Sequence, residues 1–332
     1  MAESRQEAKW GIVSTIKAPA EAILNFAAYH LEAGAHRLFI YLDAPCPEAR
    51  PLLKAHPKIR VFDCDDAYWQ QRRKKTGRPE KHQVRQSLNA TRAYRRQSDD
   101  LDWLAHIDVD EFLWAKTPIS DILAALPKTS TWARTRPIEM LSQDHARRDE
   151  KKAFKGHIPA SPERGAIVAR LYPQFGEHLK GGFLSHIEGK FFIRTGLPNV
   201  SLRIHNAFQN QQQMRHGQEL PEVDLCHLHA TNWEQWQHHY RFRLERGSYR
   251  GELKPARPRE KGGVTLHELL RAIETRQGIE GLRAFFEEVS HDSPELRSRL
   301  TAEGLLQIRD LDLDARRRRH FPNFGQDHAP SD

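Results

Sequence analysis

Cysteine is scarce: Cys46, Cys64 and Cys226 are the only three in 332 residues, and they share no metal-type spacing. That excludes a disulfide framework and gives no zinc signature. Long apolar runs are missing too. None approaches the ~20 residues of a membrane span, and Met1 to Trp10 is too polar for a secretory signal, so a cytoplasmic protein is expected. No internal repeat is found. What remains, with 38% hydrophobic and 29% charged residues, is a soluble globular composition, long enough for one large α/β domain or a domain with an appended subdomain. A net charge of +8 suits an anionic partner, whether nucleic acid, a membrane surface or a phosphorylated small molecule, and equally a plain solvated basic surface.

Trp10 to Ile16 predicts a first strand, and Lys17-Ala18-Pro19 opens a helix with proline in the first turn, where it is tolerated. Ile23, Phe26, Ala27, His30 and Leu31 recur at helical spacing, and Gly34 is a natural C-terminal cap. A second strand is predicted over Arg37 to Leu42, a short helix over Ala49 to Ala55 and a third strand over Ile59 to Phe62. This β-α-β-α-β order predicts a parallel sheet with right-handed crossovers. Asp63 to Gly77, polar and basic, reads as a surface loop, followed by a helix from about Pro79 to Gln97.

Farther on, a helix is expected over Pro118 to Leu126, and strands over Thr131 to Met140, Ala166 to Tyr172, Lys190 to Arg194 and Ser201 to Ile204. Ser142 to Gly165 and Asn206 to Gln218 read as loops. Asp224 to His229 reads as a late strand, and Asn232 as the N-cap of a helix to Arg246, with Gln235 completing a capping-box pattern. A linker at Lys254 to Gly263 precedes two helical segments, from about Leu266 to Arg276 and Ile279 to Val289. Arg316 to Arg319 reads as a frayed basic terminus.

The stretch Asp102 to Trp114 organises the chain. Trp103, Leu104, Ile107 and Val109 read as a buried strand, with Asp108, Asp110 and Glu111 where it stops. Carboxylates at the carboxyl end of such a strand face the crevice where open α/β sheets bind ligands. Strand alternation points Asp108 and Asp110 the same way, close enough to share a divalent cation, although Asp-rich strand ends also serve as turn and capping chemistry. His227 and His229 share one side of the late strand and offer imidazole to Mn²⁺, or a structural role.

Together with Ser14-Thr15-Ile16-Lys17, Tyr29-His30 and Tyr41-Leu42-Asp43, the block Asp102-Trp103 through Asp108-Val109-Asp110-Glu111-Phe112-Leu113 resembles the family-2-like glycosyltransferases. The resemblance covers residues 10 to 115 best; Gly189-Lys190-Phe191 through Arg194 and the segment from His229 to Gly247 match in patches. It implies an α/β protein of GT-A type, a Rossmann-like, mostly parallel sheet flanked by helices. A glycosyltransferase domain would occupy 1–250, with a nucleotide-sugar half at about 10–115 and an acceptor half at about 116–250, and a helical C-terminal extension 251–332.

The activity so implied is metal-dependent, inverting transfer from a nucleotide-sugar to a glycan or other hydroxyl acceptor, as in polysaccharide biosynthesis. Thr15, Lys17 and Asp43 would hold the nucleoside portion, and Lys81 and Gln83 would approach phosphates or ribose. Asp108, also at the donor, and Asp110 would hold Mn²⁺ or Mg²⁺ with His229 or His227. Glu188 is the expected general base, ahead of Glu139 and Asp144. A sugar nucleotidyltransferase is the nearest alternative, disfavoured because Ser14-Thr15-Ile16-Lys17-Ala18-Pro19 has no glycine to clamp a triphosphate. A nucleic-acid-binding protein is prompted by Arg72-Arg73-Lys74-Lys75 and Arg316 to Arg319, but aromatic residues do not interleave with either run, so no nucleic-acid partner is expected. Peripheral membrane contact through the basic segments stays open.

Overall fold

In a computed structural model that describes residues 7–143, 151–215 and 217–325, the chain begins with β1 (Trp10–Ile16), buried along its whole length. Unbroken burial marks a strand covered on both faces, as parallel sheets require. Next come α1 (Ala20–Glu32), preceded by Pro19 and followed by Gly34 at φ 95°, then β2 (Arg37–Leu42), α2 (Arg50–Ala55) and β3 (Ile59–Asp63). The expected surface loop then contains a helix, α3 (Asp66–Arg72). The Asp65 carboxylate accepts the Tyr68 N–H at 2.7 Å, and Tyr68 and Trp69 are buried. Two aromatic side chains outweigh the basic run that follows them.

The chain continues with α4 (His82–Gln97), β4 (Trp103–His106), β5 (Glu111–Ala115), α5 (Ile119–Ala124), β6 (Trp132–Met140) and β7 (Lys151–Lys155). Thus part of Ser142 to Gly165 is a strand rather than a loop, while residues 144–150, with the candidate Asp144, lie outside the described residues. α6 (Arg164–Leu171) replaces the strand expected over Ala166 to Tyr172, burying Val168 and Leu171 at helical spacing. β8 (Lys190–Arg194), β9 (Val200–Leu202), β10 (Ala207–Gln209) and β11 (Gln212–Gln213) follow. The last three form a small antiparallel sheet, of which β10 and β11 lie inside the expected loop Asn206 to Gln218. Asn210 and Gln211 both adopt positive φ at its tight turn, the geometry hairpins favour, and the usual glycine signal is absent there.

β12 (Gln218–His227) stops before His229. α7 (Trp233–Glu245) is capped by Asn232, whose side chain accepts the Gln235 N–H at 2.8 Å, but the Gln235 side chain turns to Thr231. α8 (Leu266–Ser290) breaks at Gly278, at φ 62° and ψ −146°, between the two expected helical segments. After α9 (Pro294–Ala302) and β13 (Leu306–Asp310), α10 (Leu313–His320) corrects the expectation of a frayed terminus. Arg316 and Arg319 pair with Glu32 at 2.9 Å, and Arg317 pairs with Glu21 at 2.9 Å. Among the described residues no helix is long and apolar enough to cross a membrane.

The chain divides into two units, Met1–Arg136 with Gly189–Leu225 and Asp312–Asp332, and Pro137–Glu188 with Cys226–Leu311. In the first, β3, β2, β1 and β4 are neighbours in that order and all parallel, with β8 antiparallel to β4. The α/β class with a mostly parallel sheet is as expected. Its order reverses at β1, and such a switch point opens a crevice beyond the carboxyl ends of the two strands that flank it, here β1 and β4. Gly189, at φ 72°, leads into β8; a Cβ there would lie 2.1 Å from the Thr135 carbonyl oxygen, so only glycine fits.

In the second unit, β7 lies antiparallel to β13 and to Glu139–Met140 of β6. Helices pack a core around Trp236, whose ring lies 5.3 Å from that of Trp233 and 5.4 Å from that of Phe286. Within it the Lys155 ammonium sits 2.7 Å from Glu139 and donates to the Gly182 and Val289 carbonyls, while Glu139 accepts the Leu184 and Ser185 N–H groups at 2.9 and 2.7 Å. Both side chains are almost wholly enclosed. Lys155→Met leaves a buried carboxylate without its cation and is expected to cost about 3–5 kcal/mol, read as a lowered urea midpoint by tryptophan fluorescence. An unchanged midpoint would mean that water reaches Glu139.

Candidate functional site

The carboxylate stretch is not the continuous strand that the sequence predicts. β4 ends at His106, and the chain turns through Asp108-Val109-Asp110 into β5. The Asp108 N–H donates to Glu111 Oε2 at 2.7 Å, and the Glu111 N–H donates to the Asp108 carbonyl at 3.1 Å, closing the turn on itself. Asp108 and Asp110 therefore occupy a turn, not one face of a strand, and both are half-buried.

Sheet and helix together deliver partners to Asp108. Lys190 opens β8, whose Phe192 pairs with Ala105 of β4, and its Nζ donates to Asp108 Oδ2 at 2.6 Å while lying 3.3 Å from Glu111 Oε2. The Lys190 side chain has no exposure, and that of Asp108 is 28% exposed. Gln86, from α4, donates to Asp108 Oδ1. Burial opposes charge on both members of the pair. Lys190 outweighs it at Asp108, whose carboxyl is held below its ordinary range, and Asp108 with Glu111 outweighs it at Lys190, pushed up to about 12.

A second cluster stands beyond β2. The enclosed Asp43 carboxylate takes Arg85 Nη2 at 2.7 Å, His82 Nδ1 at 2.8 Å and Arg78 Nη2 at 3.1 Å. Burial pushes the Asp43 carboxyl up, and the His82 and Arg85 hydrogen bonds more than reverse this. Thr15, buried at the end of β1, accepts from Asn89 Nδ2 at 3.1 Å. Lys17 stands exposed just past that strand, and so do Lys81 and Gln83 at the start of α4. The α4 residues that meet Thr15, Asp43 and Asp108 are His82, Arg85, Gln86 and Asn89, one face at helical spacing, which Lys81 and Gln83 do not share. Following the periodicity back from the buried Ala93 would have found that face.

In the second unit, Glu188 is exposed and lies 3.1 Å from Lys180 Nζ. The rings of His186 and His227 are 5.3 Å apart, as are those of His227 and His229. His229 Nε2 lies 3.0 Å from the Tyr249 hydroxyl, and burial, then Arg243, holds its basicity well below the ordinary imidazole range.

These donors are a poor fit for the expected metal set. Both Asp108 oxygens already accept from protein groups, one of them from an ammonium, so a divalent ion ligated there would stand beside a buried cation that repels it. Nothing in the sequence marks Lys190 or Gln86 as a partner of the carboxylate turn.

No family model and no curated protein matches the chain. Among solved structures, 41% of it is similar to 24% of the WbbM bifunctional glycosyltransferase, at 13% identity and a TM-score of 0.27. Another 11% identical match, at a TM-score of 0.26, joins 42% of it to 65% of HddC from Yersinia pseudotuberculosis. The chain thus spans less than two thirds of either structure.

Because the Asp43 carboxyl is held below its ordinary range, its stabilisation is complete above the unfolded value near ~3.9 and is lost as pH falls through the lower folded value. Asp43→Asn should cost about 2 kcal/mol at pH 7. That is less than breaking a fully buried pair, since Arg78 and His82 are each 36% exposed. Melting midpoints across pH should show the gap to wild type closing only below about pH 4; a gap unchanged in acid would assign the loss to packing instead.

Proposed function

We propose that the chain is a glycosyltransferase that takes a nucleotide-sugar donor at the carboxyl ends of β1, β2 and β4 and passes the sugar to a hydroxyl of a glycan or other acceptor. The observation that carries this reading is the switch point itself: the Asp108–Glu111 turn follows β4, Lys17 follows β1, and Arg78 and His82 are oriented by Asp43 just past β2. The motif resemblance over residues 10 to 115 supports it.

Breaking a sugar–phosphate bond builds negative charge on the departing diphosphate, and preorganised cations stabilise such charge best. Arg78 and His82 are a third exposed and already held in place by Asp43, so they would meet the diphosphate with little reorganisation. Lys17 would add a mobile ammonium. Of the expected metal ligands, Asp110 keeps that role in this reading, sharing Mn²⁺ or Mg²⁺ with the donor's own phosphates. Thr15 and Asp43 act by fixing α4 rather than by holding the nucleoside. Inversion with Glu188 as base, and a cytoplasmic setting, belong to the same proposal.

A thermal-shift panel of nucleoside diphosphates and nucleotide-sugars, with and without Mn²⁺, tests the reading. A native-state ligand at 100 times its Kd adds about 2.7 kcal/mol of apparent stability. One diphosphate should shift the midpoint more with Mn²⁺ than without, and Asp110→Asn should abolish the difference; no shift with any nucleotide would refute the donor site. Glu188→Gln should lower transfer by about 10²–10⁴-fold with diphosphate binding intact, and unchanged transfer would remove Glu188 as the base.

A further inference from the structure

The ion pair at the carboxylate turn points to more than charge balance. Lys190 sits on a ladder position, paired with Thr135 of β6, directly after a glycine that no other residue can replace. Its backbone is therefore fixed, and its wholly enclosed side chain ends between two carboxylates, 2.6 Å from Asp108 and 3.3 Å from Glu111. Asp108's second oxygen is taken by Gln86. An ion added at Asp108 would have to share that carboxylate with a buried ammonium that repels it, or push the ammonium back onto the more distant Glu111 alone.

We propose that Lys190 is the resident cation of this site: it holds the place beside Asp108 that a divalent ion would take, and any divalent ion bound here is bound without Asp108. Asp108 is then a positioning residue for an ammonium, and Glu111 is its second support. A fixed single charge stands where the resemblance implies a removable double one. The crevice is therefore electrostatically assembled before any ion or donor arrives.

The consequence for catalysis rests on the donor-site reading, so the test uses Mn²⁺ alone, without nucleotide, and succeeds or fails whether or not any sugar is transferred. Free Mn²⁺ is followed by electron paramagnetic resonance during titration of wild type, Asp108→Asn, Lys190→Gln and the double variant. Asp108→Asn should bind within twofold of wild type. Lys190→Gln should bind at least tenfold tighter, or acquire a site if wild type has none, and the double variant should lose that gain. A tenfold loss in Asp108→Asn, or no gain in Lys190→Gln, overturns the proposal. Should Lys190→Gln fail to fold, amine acetylation of wild type decides: Lys190 should stay unlabelled with excess Mn²⁺ as without it, and labelling that appears with Mn²⁺ overturns the proposal.

Discussion

An ammonium withdrawn from water must find carboxylates, and in each unit the surrounding backbone is arranged to supply them. Lys190 meets Asp108 and Glu111 from neighbouring strands; Lys155 meets Glu139 and two carbonyls. Neither pair is a strong source of net stability, because desolvation cancels most of the Coulomb attraction. Their effect is on geometry: a partner out of place would leave a bare buried charge, so competing arrangements of the Asp108 turn or of the Leu184–Ser185 segment are heavily penalised. The same reasoning applies to Asp43, which draws Arg78, His82 and Arg85 to it and so fixes the start of α4.

The basic composition takes on a different meaning once the arginines are placed. Arg316, Arg317 and Arg319 are matched with Glu32 and Glu21, Arg37 with Asp100, and Arg50 with Asp63. These five arginines are thus neutralised locally, three of them from the Arg316 to Arg319 run. Lys17, Arg78 and His82 are placed differently, Lys17 exposed just past β1 and the other two on the enclosed Asp43 just past β2.

Elements governed by local chemistry were legible in the sequence. β1, β2 and β8 have the expected limits because short, mostly apolar runs stand between charged residues, and α8 divides at Gly278 as its spacing indicates. Elements governed by distant packing were not. α3 is carried by two buried aromatic residues, and α6 alternates too weakly to separate a strand from a short helix. At the site the carboxylates were visible and their partners were not, since Lys190 lies 82 positions from Asp108 and only the β4–β8 pairing brings them together. On α4, charge and polarity single out Lys81 and Gln83, whereas the helical period selects His82, Arg85, Gln86 and Asn89.

α10 belongs to the first unit although it is the last element of the described chain, and its Arg319 lies 287 positions from Glu32. During synthesis at about 5–20 residues per second, α1 would therefore wait on the order of 15–60 s for the helix that covers it. Through that interval α1 lacks its α10 cover while the second unit is being made. A helix made early is thus finished late, and a chaperone or the nascent second unit has that long to compete for the uncovered face of α1.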